Sequence, residues 1–145
     1  MKTLKLIIDD KVLSRYEEYY FSIHTKAKKK PIAHPYHESI NEWMIMKRPM
    51  MNALKQRWKA FGEWFVKDQG YANLHINKCD LTYITYYATN RPHDTDNSVP
   101  KFLTDGLVNG GLFKSDDSKC IASTKLICRV DYENPRTEIR IKIKE

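Results

Sequence analysis

Cysteine is scarce in this 145-residue chain. The three present, Cys79, Cys120 and Cys128, form an odd and widely spaced set. That excludes a disulfide scaffold and fits reduced core thiols in an intracellular compartment. Long apolar runs are missing too: no stretch approaches the roughly 20 apolar residues of a membrane span, and the N-terminus has no apolar signal segment. A soluble, unexported protein is expected. Neither an internal repeat nor a linker is visible, so residues 1–145 read as a single domain. Acid does not predominate: 25 Lys and Arg against 18 Asp and Glu give a net charge of +7 and a pI near 9.2. Nucleic acid, an anionic surface and an acidic partner all suit that balance, and charge alone does not choose among them. With 41% hydrophobic and 12% aromatic residues, the chain holds enough apolar material for one core and is not disordered.

The residues present suggest alternating strands and helices. Thr3 to Ile8 reads as a short buried strand, after which Asp9-Asp10 turns the chain outward. The next forty residues carry no clear period, although Tyr16, Tyr19, Tyr20 and Phe21 need apolar cover. Pro49 offers a helix start, and Met51, Leu54, Trp58, Phe61 and Phe65 recur at three- and four-residue intervals up to Gly70. That spacing predicts an amphipathic helix of about five turns. Asp80 to Ala88 favours a strand, which Asn90-Arg91-Pro92 ends. Pro100 opens a second helix with Ser98 as its expected cap, and Asn109-Gly110-Gly111 stops it. Alternation over Ala122–Val130 and over Ile139, Ile141 and Ile143 predicts two strands, expected to form an antiparallel hairpin. The order β-α-β-α-β-β implies an α/β (α+β) fold with a mixed sheet packed against two main helices.

Acid is concentrated in one place. Residues 90 to 117 hold five acids and three bases, net −2, while the remainder of the chain carries +9. The acids are Asp94, Asp96, Asp105, Asp116 and Asp117. In extended backbone Asp94 and Asp96 would point to one face with Cα atoms about 7 Å apart. Hard oxygen ligands without nearby cysteine favour Mg²⁺ or Mn²⁺. Four readings of this Asp-x-Asp compete: an inert turn, an EF-hand loop, a nucleotide-sugar transferase motif and a metal-dependent phosphodiesterase. The EF-hand fails because Val99 stands where its glycine is required. The transferase fails on chain length. Lys101 either pairs with Asp105 at i,i+4, worth about 0.2–0.5 kcal/mol, or stabilises charge on a phosphate. Lys26, Lys28, Lys29 and Lys30 form the densest basic run, read as a loop that is either merely solvated or in contact with phosphate. His93 beside Asp94, and His34 with His37, are histidines without a compelling partner set.

The ordered set Asp94-Thr95-Asp96-Asn97, Lys101 to Leu107, Gly111-Leu112-Phe113 and Asp116-Asp117 resembles the RusA family of Holliday-junction resolvases. One residue more than in the family pattern separates Asp96 from Lys101, and another precedes Asp116. The resemblance implies a homodimeric, Mg²⁺-dependent endonuclease that cuts four-way DNA junctions in recombination and repair, in a bacterial or phage setting. It makes Asp94, Asp96 and Asp117 metal ligands and Lys101 the catalytic lysine. Asn97 and Asp116 lie beside the site, and Lys28, Lys29, Lys30 and Arg91 are expected DNA contacts. The alternatives are a catalytically silent junction-binding protein and a basic interaction module with inert surface acids.

Overall fold

Strand β1, Lys2–Ile8, alternates its burial so that Leu4, Leu6 and Ile8 turn inward. The computed structural model describes residues 2–144. Asp9 does not simply turn the chain outward: its carboxylate accepts the Val12 amide at 3.1 Å and caps helix α1, Asp10–Ile23. Packing of this helix covers the early tyrosines unequally. Tyr16 is buried edge-on against Phe61, whereas Tyr19 stays 46% exposed. A short helix α2, Ile40–Met44, is closed by a reciprocal capping box between Ser39 and Glu42. Helix α3, Arg48–Asp68, has Pro49 in its first turn and buries Leu54, Trp58, Phe61 and Phe65, as its spacing predicts. No helix among the described residues is long and apolar enough to cross a membrane.

Strand β2, Cys79–Tyr87, leads through a loop to helix α4, Lys101–Asn109, and then to strands β3, Ile121–Val130, and β4, Arg136–Ile143. The four strands form one mixed sheet in the order β1-β4-β2-β3, an α+β fold. Core side chains of β1, β2 and β4 share the face covered by α1, α3 and α4. On the other face Lys5, Arg136 and Arg140 close around the buried carboxylate of Glu138. Burial would raise that carboxyl, but the cations outweigh it and hold it below its ordinary value.

The expected hairpin of the last two strands does not form. β4 pairs antiparallel with both β1 and β2, and β3 pairs parallel with β2 on its far side. The connection crosses the end of β2, where the Asp131 amide donates to the Tyr87 carbonyl at 2.9 Å. Burial explains the choice. Ile139 and Ile141 are fully covered and belong at the centre, whereas β3 leaves Ala122, Thr124 and Val130 exposed and tolerates the edge.

Two glycines fix the position of α4. A Cβ on Gly106 would lie 2.6 Å from the Lys59 carbonyl oxygen, and one on Gly62 would lie 2.9 Å from the backbone of Gly106. The backbones of α3 and α4 therefore touch, which sets where the first residue of α4 projects.

Candidate functional site

The acidic loop begins where β2 stops at Tyr87. Asp94 precedes a single 3₁₀ turn, Thr95–Asn97, and both Asp94 and Asp96 are exposed. The strand-end geometry expected for them is corrected here. Successive residues of a 3₁₀ turn are about 120° apart around the axis, so an extended shared face does not describe this pair. The Asn97 side-chain Nδ2 lies 3.5 Å from an Asp94 carboxylate oxygen, the outer limit of a hydrogen bond. Ser98 fastens the loop to the sheet: its hydroxyl lies 3.2 Å from the Tyr87 hydroxyl, 3.1 Å from Cys128 Sγ and 3.4 Å from the Asp94 carbonyl. His93 stacks on Tyr87 with ring centroids 3.6 Å apart. His93, Asp94, Asn97 and exposed Arg91 line one cleft of about 480 Å³.

Ser98 is thus committed elsewhere and does not cap α4. His37 does that work across the fold. Its Nε2 accepts the Phe102 amide at 3.2 Å, while Nδ1 donates to the Glu38 carbonyl at 2.6 Å. The imidazole is buried against Trp58 and Phe102, and burial lowers its pKa to about 4. Trp58 in turn donates to the Glu38 carboxylate at 2.9 Å. His34 is exposed and stacks on Tyr36, so the two histidines serve different ends. Sequence spacing carries no sign of the helix-capping role, because His37 and Phe102 lie 65 residues apart.

The amide held by His37 follows Lys101 directly. Lys101, Thr104, Asp105 and Asp116 line a cleft of about 350 Å³ beside Tyr83. Among the described residues Lys101 makes no ion pair within 4.0 Å, so the i,i+4 bridge to Asp105 is not formed. Asp116 is the member of the acidic pair that shares space with Lys101. Asp117 lines a different cleft. Its Oδ1 accepts the amides of Lys119 at 3.0 Å and Cys120 at 3.1 Å, and Ser115 Oγ accepts its own amide at 3.2 Å. The Ser115 hydroxyl, followed by the Cys120 and Lys119 amides, keeps the Asp117 carboxyl below its ordinary value.

The structure brings together Lys101 and Asp116, keeps Asp94 and Asp96 on one turn, and sets Asp117 apart from both. Among the described residues no three His, Cys, Asp or Glu side chains gather as a metal-binding group. The early lysine loop is exposed. Lys29 and Lys30 line a cleft of about 380 Å³ with Tyr20, Arg57 and Trp58, and Lys30 lies 3.8 Å from Glu17. Chemically, the loop offers exposed carboxylates for a cation and Lys101 offers an unpaired ammonium for a phosphate. No protein-family model matches the chain, and no curated protein is significantly similar to it.

Proposed function

We propose that the protein is a Mg²⁺-dependent, structure-specific DNA endonuclease that acts on four-way junctions as a homodimer, with Mn²⁺ able to replace Mg²⁺. The observation that carries this reading is the unpaired Lys101 at the start of α4, which shares a cleft with Asp116 and follows the Asp94-x-Asp96 turn by four residues on a strongly basic chain. The donor set fits Mg²⁺ in one respect. Mg²⁺ is commonly held by one or two carboxylates, with water and substrate phosphate completing its shell. Asp94 and Asp96 would supply those carboxylates. When bound, the ion activates water and neutralises charge developing on the scissile phosphate.

The remaining roles belong to side chains of this chain. Lys101, held in place by the His37 cap behind it, orients the attacked phosphate through its ammonium. Asp116 faces the same cleft and limits how the ammonium is directed. Asn97 restrains the Asp94 carboxylate. Asp117, a metal ligand in the family that the chain resembles, here spends one oxygen on two amides. That observation favours the second reading, a junction-binding protein that does not cut.

A labelled four-way junction incubated with and without Mg²⁺, using wild type and Asp94→Asn, separates these readings. Paired incisions that need the metal and vanish in the variant support the nuclease. Metal-independent cutting, or full activity in Asp94→Asn, overturns the proposed mechanism. Salt-sensitive junction binding without incision in either Mg²⁺ or Mn²⁺ supports the silent binder.

A further inference from the structure

Four lysines distant in sequence meet at one end of the sheet. Lys78 precedes β2 and Lys119 lies just before β3, while Lys144 follows β4. Lys114 follows Phe113, which bridges to Ile76. The strand register brings them together, because Cys79 pairs with both Ile121 and Ile143. The Lys144 amide donates to the Lys78 carbonyl at 2.8 Å, and the Lys114 amide to the Ile76 carbonyl at 2.9 Å. These four lysines line a cleft of about 520 Å³ in which, among the described residues, Asp117 is the single acid.

Elsewhere among the described residues, five cations lie in ion pairs. Lys5, Arg136 and Arg140 share Glu138, Arg15 holds Asp68 at 2.7 Å, and Lys30 faces Glu17. Among the described residues Lys144 is the one cleft lysine in an ion pair, with Asp80 at 2.9 Å. Among the described residues, Lys78, Lys114 and Lys119 have no acid within 4.0 Å. Asp117 does not cancel them fully, since its charge also serves the two amides that fix the turn before β3. Three ammonium groups around a concave site attract a ligand that carries several negative charges at close spacing.

We infer that this cleft binds consecutive phosphates of a DNA strand, away from the Lys101 cleft and on the other side of the Asp116-Asp117 pair. The choice of DNA over another polyphosphate rests on the function proposed above. The adjacent acids face different clefts, Asp116 toward Lys101 and Asp117 toward the lysines. A strand anchored by the lysines therefore lies beside the cleft of Lys101 and Asp116.

The test measures binding in EDTA, so that cleavage plays no part. Fluorescence anisotropy of a labelled junction is followed from low to moderate salt for wild type, Lys114→Gln/Lys119→Gln and the control Lys125→Gln on exposed β3. Removing one phosphate-binding charge should reduce the slope of log K against log salt by about 0.9, so the double variant should show a slope smaller by roughly 1.8. Affinity at moderate salt should fall more than tenfold while the control stays unchanged. An unaltered slope and affinity in the double variant overturn the assignment, and Lys78→Gln/Lys114→Gln repeats the test should the first pair unfold. If the double variant loses tripolyphosphate binding but keeps DNA binding, the site serves a free polyphosphate and the DNA assignment fails. If junctions are never cut yet the double variant binds them weakly, the cleft stands and the nuclease reading falls.

Discussion

His37 shows how one side chain couples burial to the candidate site. Its ordinary pKa is 6.5 and its folded pKa about 4, because burial disfavours the charged ring; the neutral ring is also the form that accepts the Phe102 amide. Between these values the unfolded chain binds a proton that the folded chain refuses. Stability is then complete above pH 6.5, falls as pH drops through the unfolded value, and levels off near pH 4. A gap of this size corresponds to about 3 kcal/mol. Urea denaturation at pH 7 and pH 4 should show wild type losing about 2–3 kcal/mol more than His37→Gln. Equal losses in the two proteins would show that burial does not keep the imidazole neutral. Asp117 permits a second residue-scale prediction. Asp117→Asn keeps an oxygen for the Lys119 and Cys120 amides, so its melting temperature should match wild type and any change in cutting reports the lost charge. A loss of cutting as deep as in Asp94→Asn makes it a ligand, whereas unchanged cutting leaves it as a cap. A lowered melting temperature would show that the carboxylate charge itself holds the turn.

Helices α3 and α4 carry the same logic at the scale of elements. Gly106→Ala inserts a methyl group between backbones that cannot yield as side chains do. Overpacking of this kind costs about 1–3 kcal/mol. Urea denaturation should place the variant in that range, and α4 should tilt and move Lys101, lowering cutting further than stability alone explains. A variant as stable as wild type would mean that the helices separate easily. These helices are legible in the sequence because their patterns are local: α3 repeats its apolar residues along one stripe, and α4 lies between Pro100 and Gly110. Helix α1 is not legible, because its aromatics crowd several faces and Tyr19 remains exposed. The β3–β4 hairpin fails for a related reason. Alternation reports which residues share a face but not which strand lies alongside, and β2 fills the place that a hairpin would need.

At the scale of the molecule, order along the chain and proximity in space diverge. The acidic island is visible as a charge anomaly, and Lys101 with Asp116 does share a cleft, but adjacency of Asp116 and Asp117 says nothing of their facing different clefts. The four-lysine cleft is invisible in sequence because its members are spread from residue 78 to residue 144 and join only through strand register. The segment that follows the Lys28–Lys30 loop reaches the other end of β2. Pro35 accepts from Thr137 at 2.7 Å and Tyr36 meets Tyr87 edge-on, both at the end where β2 stops. The nine residues of β2 span roughly 27 Å, at about 3.3 Å per residue, from the lysine cleft to the Pro35–Tyr36 segment, and we take that as the gap between the two basic regions. DNA advances about 3.4 Å per base pair, so roughly eight base pairs would span that gap. The salt slope should therefore rise with duplex length until about one helical turn and then flatten. On a six-base-pair duplex, Lys28→Gln/Lys29→Gln/Lys30→Gln and Lys114→Gln/Lys119→Gln should each leave the other region able to bind, with slopes close to wild type. On sixteen base pairs each set should lower the slope, and the two reductions should add, because the regions are too far apart to couple directly. Reductions that fail to add, or a slope that does not depend on duplex length, would show that one duplex does not bridge the two ends of the sheet.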